Sequence, residues 1–333
     1  MILVLGATSY IGQAFARMLR GRSECFIPLS RDAFDYARFE LLFDYVRKIK
    51  PDLVINAAEY IEEASSNNGE LDRLEMLHAN TLLPQTVSRV CAMTNTPWGH
   101  VSSGNIYSGA KISDNHKSRI ERDLTRPAIR KLFDHYPDRF QGFTENDEPN
   151  CSFRAGPCTF YCGTKALAEE AIRYQGQNYI WRFRLPFNEQ DQPCNFLSQL
   201  HSISQFDDGI NSLSHLEDCV GACLELWERR APFGIYNITN PGAITIRETV
   251  QMIRRILKPP GRAESWIGSC ESFPNGSKPL RSHCILDVSK MLRIGVKLRN
   301  VKEALEKSLE KWPRLGLSSQ KQHFPIEPAA QPR

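Results

Sequence analysis

Long apolar runs are missing from this sequence: nowhere among its 333 residues does a hydrophobic stretch approach the length of a bilayer-spanning helix. Runs of like charge are missing too. The 42 basic and 38 acidic residues are spread along the chain and leave a formal net charge of +4, so neither a nucleic-acid patch nor a membrane-surface patch is expected. Aperiodic sequence is confined to the last residues, from about Gly316, where Pro, Gln and Ser accumulate and a flexible tail over 316–333 is expected. The ten cysteines form no disulfide framework. Cys25 and Cys91 fall inside apolar strand or helix patterns, and the pairs Cys158/Cys162 and Cys219/Cys223 have helical rather than metal-knuckle spacing. Reduced thiols, no metal and a cytoplasmic location are the reading, and a first strand beginning at Ile2 leaves no room for a signal peptide.

What the sequence does have is alternation. Ile2 to Leu5 is a fully apolar run, followed by a turn and then by Ile11, Phe15, Met18 and Leu19 at helical spacing, ending at Gly21. Strands at Cys25 to Leu29, Asp52 to Asn56, Trp98 to Val101, Tyr179 to Arg184 and 234 to 239 alternate with helices, one of them long, from Leu71 to Met93. The pattern predicts an α/β protein: a Rossmann doubly wound parallel sheet with a smaller C-terminal α/β domain.

The turn Gly6-Ala-Thr-Ser-Tyr-Ile-Gly12 lies between the first strand and the first helix, where free backbone N–H groups and the helix dipole favour an anion. It reads as a pyrophosphate cradle formed by Gly6, Thr8, Ser9, Tyr10, Ile11 and Gly12, with Ser9 where the commoner fingerprint has a third glycine. Arg31, at the end of the second strand, stands where an NAD-specific protein usually carries a carboxylate. An arginine there suits a 2′-phosphate, so NADP(H) is favoured over NAD(H). Further on, Tyr161 and Lys165 are four residues apart on one helical face, so the ammonium can assist the phenol in proton transfer.

With VINAAEY (54–60), Asn80, VSSGNIYSG (101–109) and YCGTK (161–165) in that order, the chain resembles the extended short-chain dehydrogenase/reductases. Within them it is most similar to the dTDP-4-dehydrorhamnose reductase branch and to the nucleotide-sugar 3,5-epimerase/4-reductases of UDP-rhamnose synthesis, through GFTENDEPN (142–150), FYCGTKALAEE (160–170), YNITNPGAIT (236–245) and RSHCILDVSK (281–290). The resemblance implies that Ser103 hydrogen-bonds a substrate carbonyl, Tyr161 protonates the alkoxide and Lys165 holds the nicotinamide ribose. It also implies that Ala57, Ala58, Tyr60, Asn80 and Pro186 belong to the cofactor site and that Arg281 binds the diphosphate of a nucleotide-sugar substrate. Asn105, Asn195 and Gln199 fall at substrate positions, and a homodimer is left open.

Two departures qualify this. The bifunctional relatives carry a cysteine at the position of Asn105 and a lysine at that of Gln199; two amides cannot abstract a proton alpha to a ketone, so reduction without 3,5-epimerisation is expected. A 4,6-dehydratase would need an Asp-Glu pair where Gly104-Asn105 stand. The second departure is an insertion over 111–140, with Ile129, Leu132 and Phe133 on one helical face and a helix start at Arg126-Pro127. It is compatible with a lid, a partner-binding helix or a solvated excursion. The expected division is a Rossmann domain over 1–182 and 207–240 and a substrate domain over 183–206 and 241–315. The leading function is a 4-reductase of a nucleotide-linked 4-keto-6-deoxyhexose; the alternatives are the bifunctional enzyme, a nucleotide-sugar 4-epimerase and a non-catalytic NADP-binding regulatory subunit.

Overall fold

A computed structural model describes residues 1–60, 69–114, 117–202, 207–257 and 282–312. Ile2–Leu5 (β1) is apolar at every position because both faces of this strand are covered, as parallel sheets require. The turn after it leads into Tyr10–Gly21 (α1), then Phe26–Leu29 (β2), Phe39–Ile49 (α2) and Leu53–Asn56 (β3). The expected long helix is three pieces: Gly69–Leu77 (α3), a wider π turn at His78–Leu82, and Leu83–Thr94 (α4). Pro84 explains the break, since it has no N–H to give the carbonyl one turn back, at Asn80. Trp98–Ser103 (β4) follows.

The insertion is more ordered than a solvated excursion. Ala110–Asp114 (β5) and Lys117–Glu121 (β6) form an antiparallel hairpin, Pro127–His135 (α5) starts at the predicted proline, and Phe140–Gln141 (β7) returns to pair with β5. Ala110, Ile112, Leu124 and Ile129 pack on Ile210 and Ile285, with Leu132, Phe133 and Phe140 at the margin. Arg130 donates to the carbonyl and carboxylate of Asp208, at 3.1 and 3.2 Å. The chain continues through Phe160–Ile172 (α6), Asn178–Phe183 (β8), Pro186–Phe187 (β9), Phe196–Ser202 (α7), Ile210–Asn211 (β10), Ser214–His215 (β11), Leu216–Glu228 (α8), Gly234–Asn237 (β12), Ile244–Thr245 (β13), Ile246–Leu257 (α9), Ser289–Arg293 (α10) and Val301–Glu310 (α11).

Six strands form the main sheet in the order β2-β1-β3-β4-β8-β12, every pair parallel. Helices α1 and α8 cover one face, through Phe15, Leu19, Val220 and Cys223; α2, α4 and α6 cover the other, through Leu42, Val87, Val90 and Ile172. The order reverses between β1 and β3, which opens a crevice at the carboxyl ends of these strands, the general ligand position in such sheets. A third apolar cluster joins Phe187, Leu197, Leu200, Ile244, Val250, Leu305 and Trp312. Leu213, expected in the Rossmann part, packs into this cluster as well. All nine cysteines among the described residues are free thiols, and no helix there is long and apolar enough to cross a membrane.

Candidate active site

The crevice floor is set by the glycine turn. Gly6 has φ +73, and a Cβ on it would lie 2.5 Å from the Ala58 backbone; one on Gly12 would lie 2.0 Å from the Gly6 carbonyl. Both positions therefore admit only glycine. Ser9 is the helix N-cap: its hydroxyl accepts from the Gly12 N–H at 3.0 Å and donates to the Ala57 carbonyl at 2.7 Å. That bond ties the turn to the loop after β3, a task a glycine could not perform. Thr8 is exposed, whereas the Ile11 side chain is buried and the Tyr10 hydroxyl donates inward to Asn188 at 2.9 Å. Tyr10 and Ile11 can thus serve an anion only through the N–H groups at the start of α1. Arg31 is exposed and pairs with Glu75 at 3.2 Å.

Ala57 and Ala58 are buried beside the turn, and the Asn56 amide oxygen accepts from the Ala58 N–H at 3.2 Å. Asn80, expected at the cofactor site, braces the loop after β3. Its amide accepts from the Tyr60 N–H and donates to the Tyr60 carbonyl, both at 2.9 Å, from inside the π turn, which consumes a fully buried side chain. Tyr60 in turn donates its hydroxyl to Asp72 at 2.7 Å.

Ser103 ends β4, and its oxygen accepts from the Asn105 N–H at 3.2 Å. Tyr161 and Lys165 rise from the first turns of α6, whose N-cap Thr159 accepts from the Cys162 N–H at 3.2 Å. Lys165 is fully buried, donates to the Val101 carbonyl at 3.2 Å and lies 3.4 Å from the Glu59 carboxylate. The Tyr161 hydroxyl donates to the same Glu59 oxygen at 3.3 Å. Burial, then the Glu59 charge, push this phenol well above its ordinary range, while a hydrogen bond with Ser103 works the other way. The register of β4 against α6 is pinned from beneath: Ser102 donates to Glu169 at 2.5 Å, and Glu169 takes a forked pair from Arg182 of β8 at 2.6 to 3.1 Å.

The expected substrate residues divide. The Asn105 amide oxygen is buried and unpartnered, an acceptor waiting for a donor. Asn195 does not face a ligand: it is fully buried and closes the turn into α7, donating to the Asn188 and Gln190 carbonyls at 2.8 and 2.7 Å. Gln199 is exposed, with its amide on the Pro193 carbonyl at 3.0 Å. Asn195 sits in the turn before α7 and Gln199 on an exposed position of that helix, which a matched position in sequence does not reveal. Pro186 is half-buried after Leu185, whose positive φ of 41 is unusual for a branched residue. Arg281 lies outside the described residues. Two residues were missed, Glu59 and the buried Arg184, which donates to Asn211 at 2.7 Å and packs against the place a Gly104 side chain would fill. One cluster of metal-ligand type occurs among the described residues, Glu189, His215 and Glu217. Burial opposes charging His215, yet Asp218 and Glu189 outweigh it and raise the imidazole to about 9.

Fold and site together define an extended short-chain dehydrogenase/reductase. Within that class the chain belongs to the RmlD substrate binding domain family, whose sequence model matches residues 1–313. It is 24% identical over 307 residues to a bifunctional dTDP-4-dehydrorhamnose 3,5-epimerase/dTDP-4-dehydrorhamnose reductase of Arabidopsis thaliana, covering 92% of this chain and 91% of that one. It is 25% identical over 263 residues to a trifunctional UDP-glucose 4,6-dehydratase/UDP-4-keto-6-deoxy-D-glucose 3,5-epimerase/UDP-4-keto-L-rhamnose-reductase of the same plant, matching 79% of its own length but 35% of that protein's. Among solved structures, the L780 UDP-rhamnose synthase of Acanthamoeba polyphaga mimivirus superposes with a TM-score of 0.72 at 20% identity, over 93% of this chain and 98% of that one. A dTDP-4-dehydrorhamnose reductase of Bacillus anthracis in complex with NADP gives 0.65 at 16%, over 93% and 96%.

Proposed function

We propose that this chain reduces the C4 ketone of a nucleotide-linked 4-keto-6-deoxyhexose with NADPH, without 3,5-epimerisation. The observation that carries the reading is the convergence of Ser103, Tyr161 and Lys165 at the carboxyl edge of the sheet, beside the glycine turn. The residues fit a dinucleotide: Gly6 and Gly12 leave room for a pyrophosphate, the start of α1 offers N–H groups, and Lys165 would hold the ribose. When bound, the reduced nicotinamide supplies a hydride. Tyr161 gives its proton to the C4 oxygen, Ser103 donates a hydrogen bond to that oxygen, and Asn105 accepts from a sugar hydroxyl. NADPH rather than NADH follows from magnitudes. The exposed Arg31–Glu75 pair is worth about 0–1 kcal/mol, whereas a charge-assisted contact to a 2′-phosphate contributes roughly 1.5–3 kcal/mol, so the guanidinium exchanges partners.

The Arabidopsis relatives include a 3,5-epimerase activity in their names, but here Asn105 and the exposed Gln199 stand where the resemblance puts its acid/base pair, and neither titrates. The test is a screen of UDP-, dTDP- and GDP-linked 4-keto-6-deoxyhexoses for NADPH oxidation, with the product identified by NMR and a parallel incubation in D₂O without NADPH. One substrate should consume NADPH and no deuterium should enter at C3 or C5. No oxidation with any substrate overturns the reductase reading, and deuterium uptake at a rate comparable with reduction overturns the missing epimerase.

A further inference from the structure

Glu59 has no place in the chemistry described so far, yet it touches both groups that carry it. Its carboxylate lies 3.3 Å from the Tyr161 hydroxyl and 3.4 Å from the Lys165 ammonium, and its side chain is only 16% exposed. The placement is built rather than incidental, because the backbone on either side is fixed: the Ala58 N–H is held by Asn56, and both backbone polar groups of Tyr60 are held by Asn80. The charged and titratable groups around the phenol are few. Glu59 faces it from the loop after β3, Lys165 and Cys162 from α6, and Ser103 supplies an uncharged hydroxyl from β4. Behind Lys165 lies His100, whose burial keeps it neutral.

Lys165 alone would favour the phenolate, the form that cannot protonate anything. A carboxylate placed on both groups reverses this, since it accepts the phenolic hydrogen, offsets the ammonium and opposes a second negative charge beside it. We propose that Glu59 is a positioning residue that holds Tyr161 as a neutral proton donor and thereby extends the reaction into alkaline pH. The inference rests on the reading of Tyr161 as the group that protonates the C4 oxygen. In that step the phenolic O–H bond breaks, the proton joins the C4 oxygen as the hydride reaches C4, and the phenolate regains a proton from solvent.

The experiment compares pH profiles of reduction for the parent, Glu59→Gln and Glu59→Asp. Glu59→Gln should move the alkaline limb to lower pH by about one unit or more, a tenfold change in proton affinity, and Glu59→Asp, which keeps the charge, should restore most of it. Alkaline limbs that coincide in parent and Glu59→Gln overturn the proposal, and so does a limb that moves equally in Glu59→Asp. Should the parent reduce no 4-keto sugar, the activity reading fails while Glu59 remains testable. Tyrosine-labelled ¹³C NMR, with Tyr161→Phe assigning the resonance, should find the phenol of Glu59→Gln ionising at lower pH than the parent's, and equal ionisation overturns the idea.

Discussion

In the proposed reaction Tyr161 bears the chemical demand of the site, because no other phenol stands beside Ser103 and Lys165 among the described residues. Tyr161→Phe should lower the rate of reduction by about 10²- to 10⁴-fold while NADPH affinity, measured by titration, changes little. A variant as active as the parent would remove Tyr161 from the mechanism. Arg31→Ala should weaken NADPH by about tenfold or more relative to NADH, read as the ratio of the two dissociation constants; equal losses would show that Arg31 does not read the phosphate. The pairing of Tyr161 with Lys165 was legible from sequence because a spacing of four puts two side chains on one helical face. Glu59 was not, because its meaning lies in a contact with a residue 102 positions away. The surroundings of Asn195 and Gln199 were not legible for the opposite reason: a matched position says which residue stands there and nothing about where its side chain points.

At the scale of elements, the glycine turn, the loop after β3 and the π turn act as one unit, joined by Ser9 to Ala57 and by Asn80 to Tyr60. Gly6→Ala strikes this unit twice, through a left-handed φ and a backbone contact 2.5 Å away. It should abolish detectable NADPH binding and lower stability by about 1–3 kcal/mol, measured by thermal unfolding with and without cofactor. Unchanged binding would mean that the turn is not the cradle. The sheet could be anticipated because strands buried on both faces must be apolar throughout. The hairpin of the insertion could not, because a sequence as polar as KISDNHKSRI carries no alternation, and its pairing is decided by the apolar cluster beneath β5.

At the scale of the molecule, an ionic seam runs between the sheet's helices and the lobe of the third apolar cluster. Arg17 of α1 pairs with Glu217 at 3.0 Å, His215 with Glu189 at 3.5 Å, and Arg299 with Asp218 at 2.7 Å. His215 is raised from 6.5 to about 9 in the folded state, so its contribution is complete below about pH 6.5 and disappears as pH rises through 9. Asp218 is held well below 3.8, so its contribution is complete above that value and is lost on acidification. The unfolding temperature should therefore be flat from about pH 4 to 6.5 and fall toward pH 9, and His215→Gln should flatten that fall; an identical slope in the variant would rule out His215 as its source. The cluster around Phe187 and Leu197 reaches the ribosome exit long before Leu305, Leu309 and Trp312, the residues that cover it. A nascent chain therefore carries a bare apolar lobe until residues 301–312 emerge, and that interval is when it needs a chaperone most.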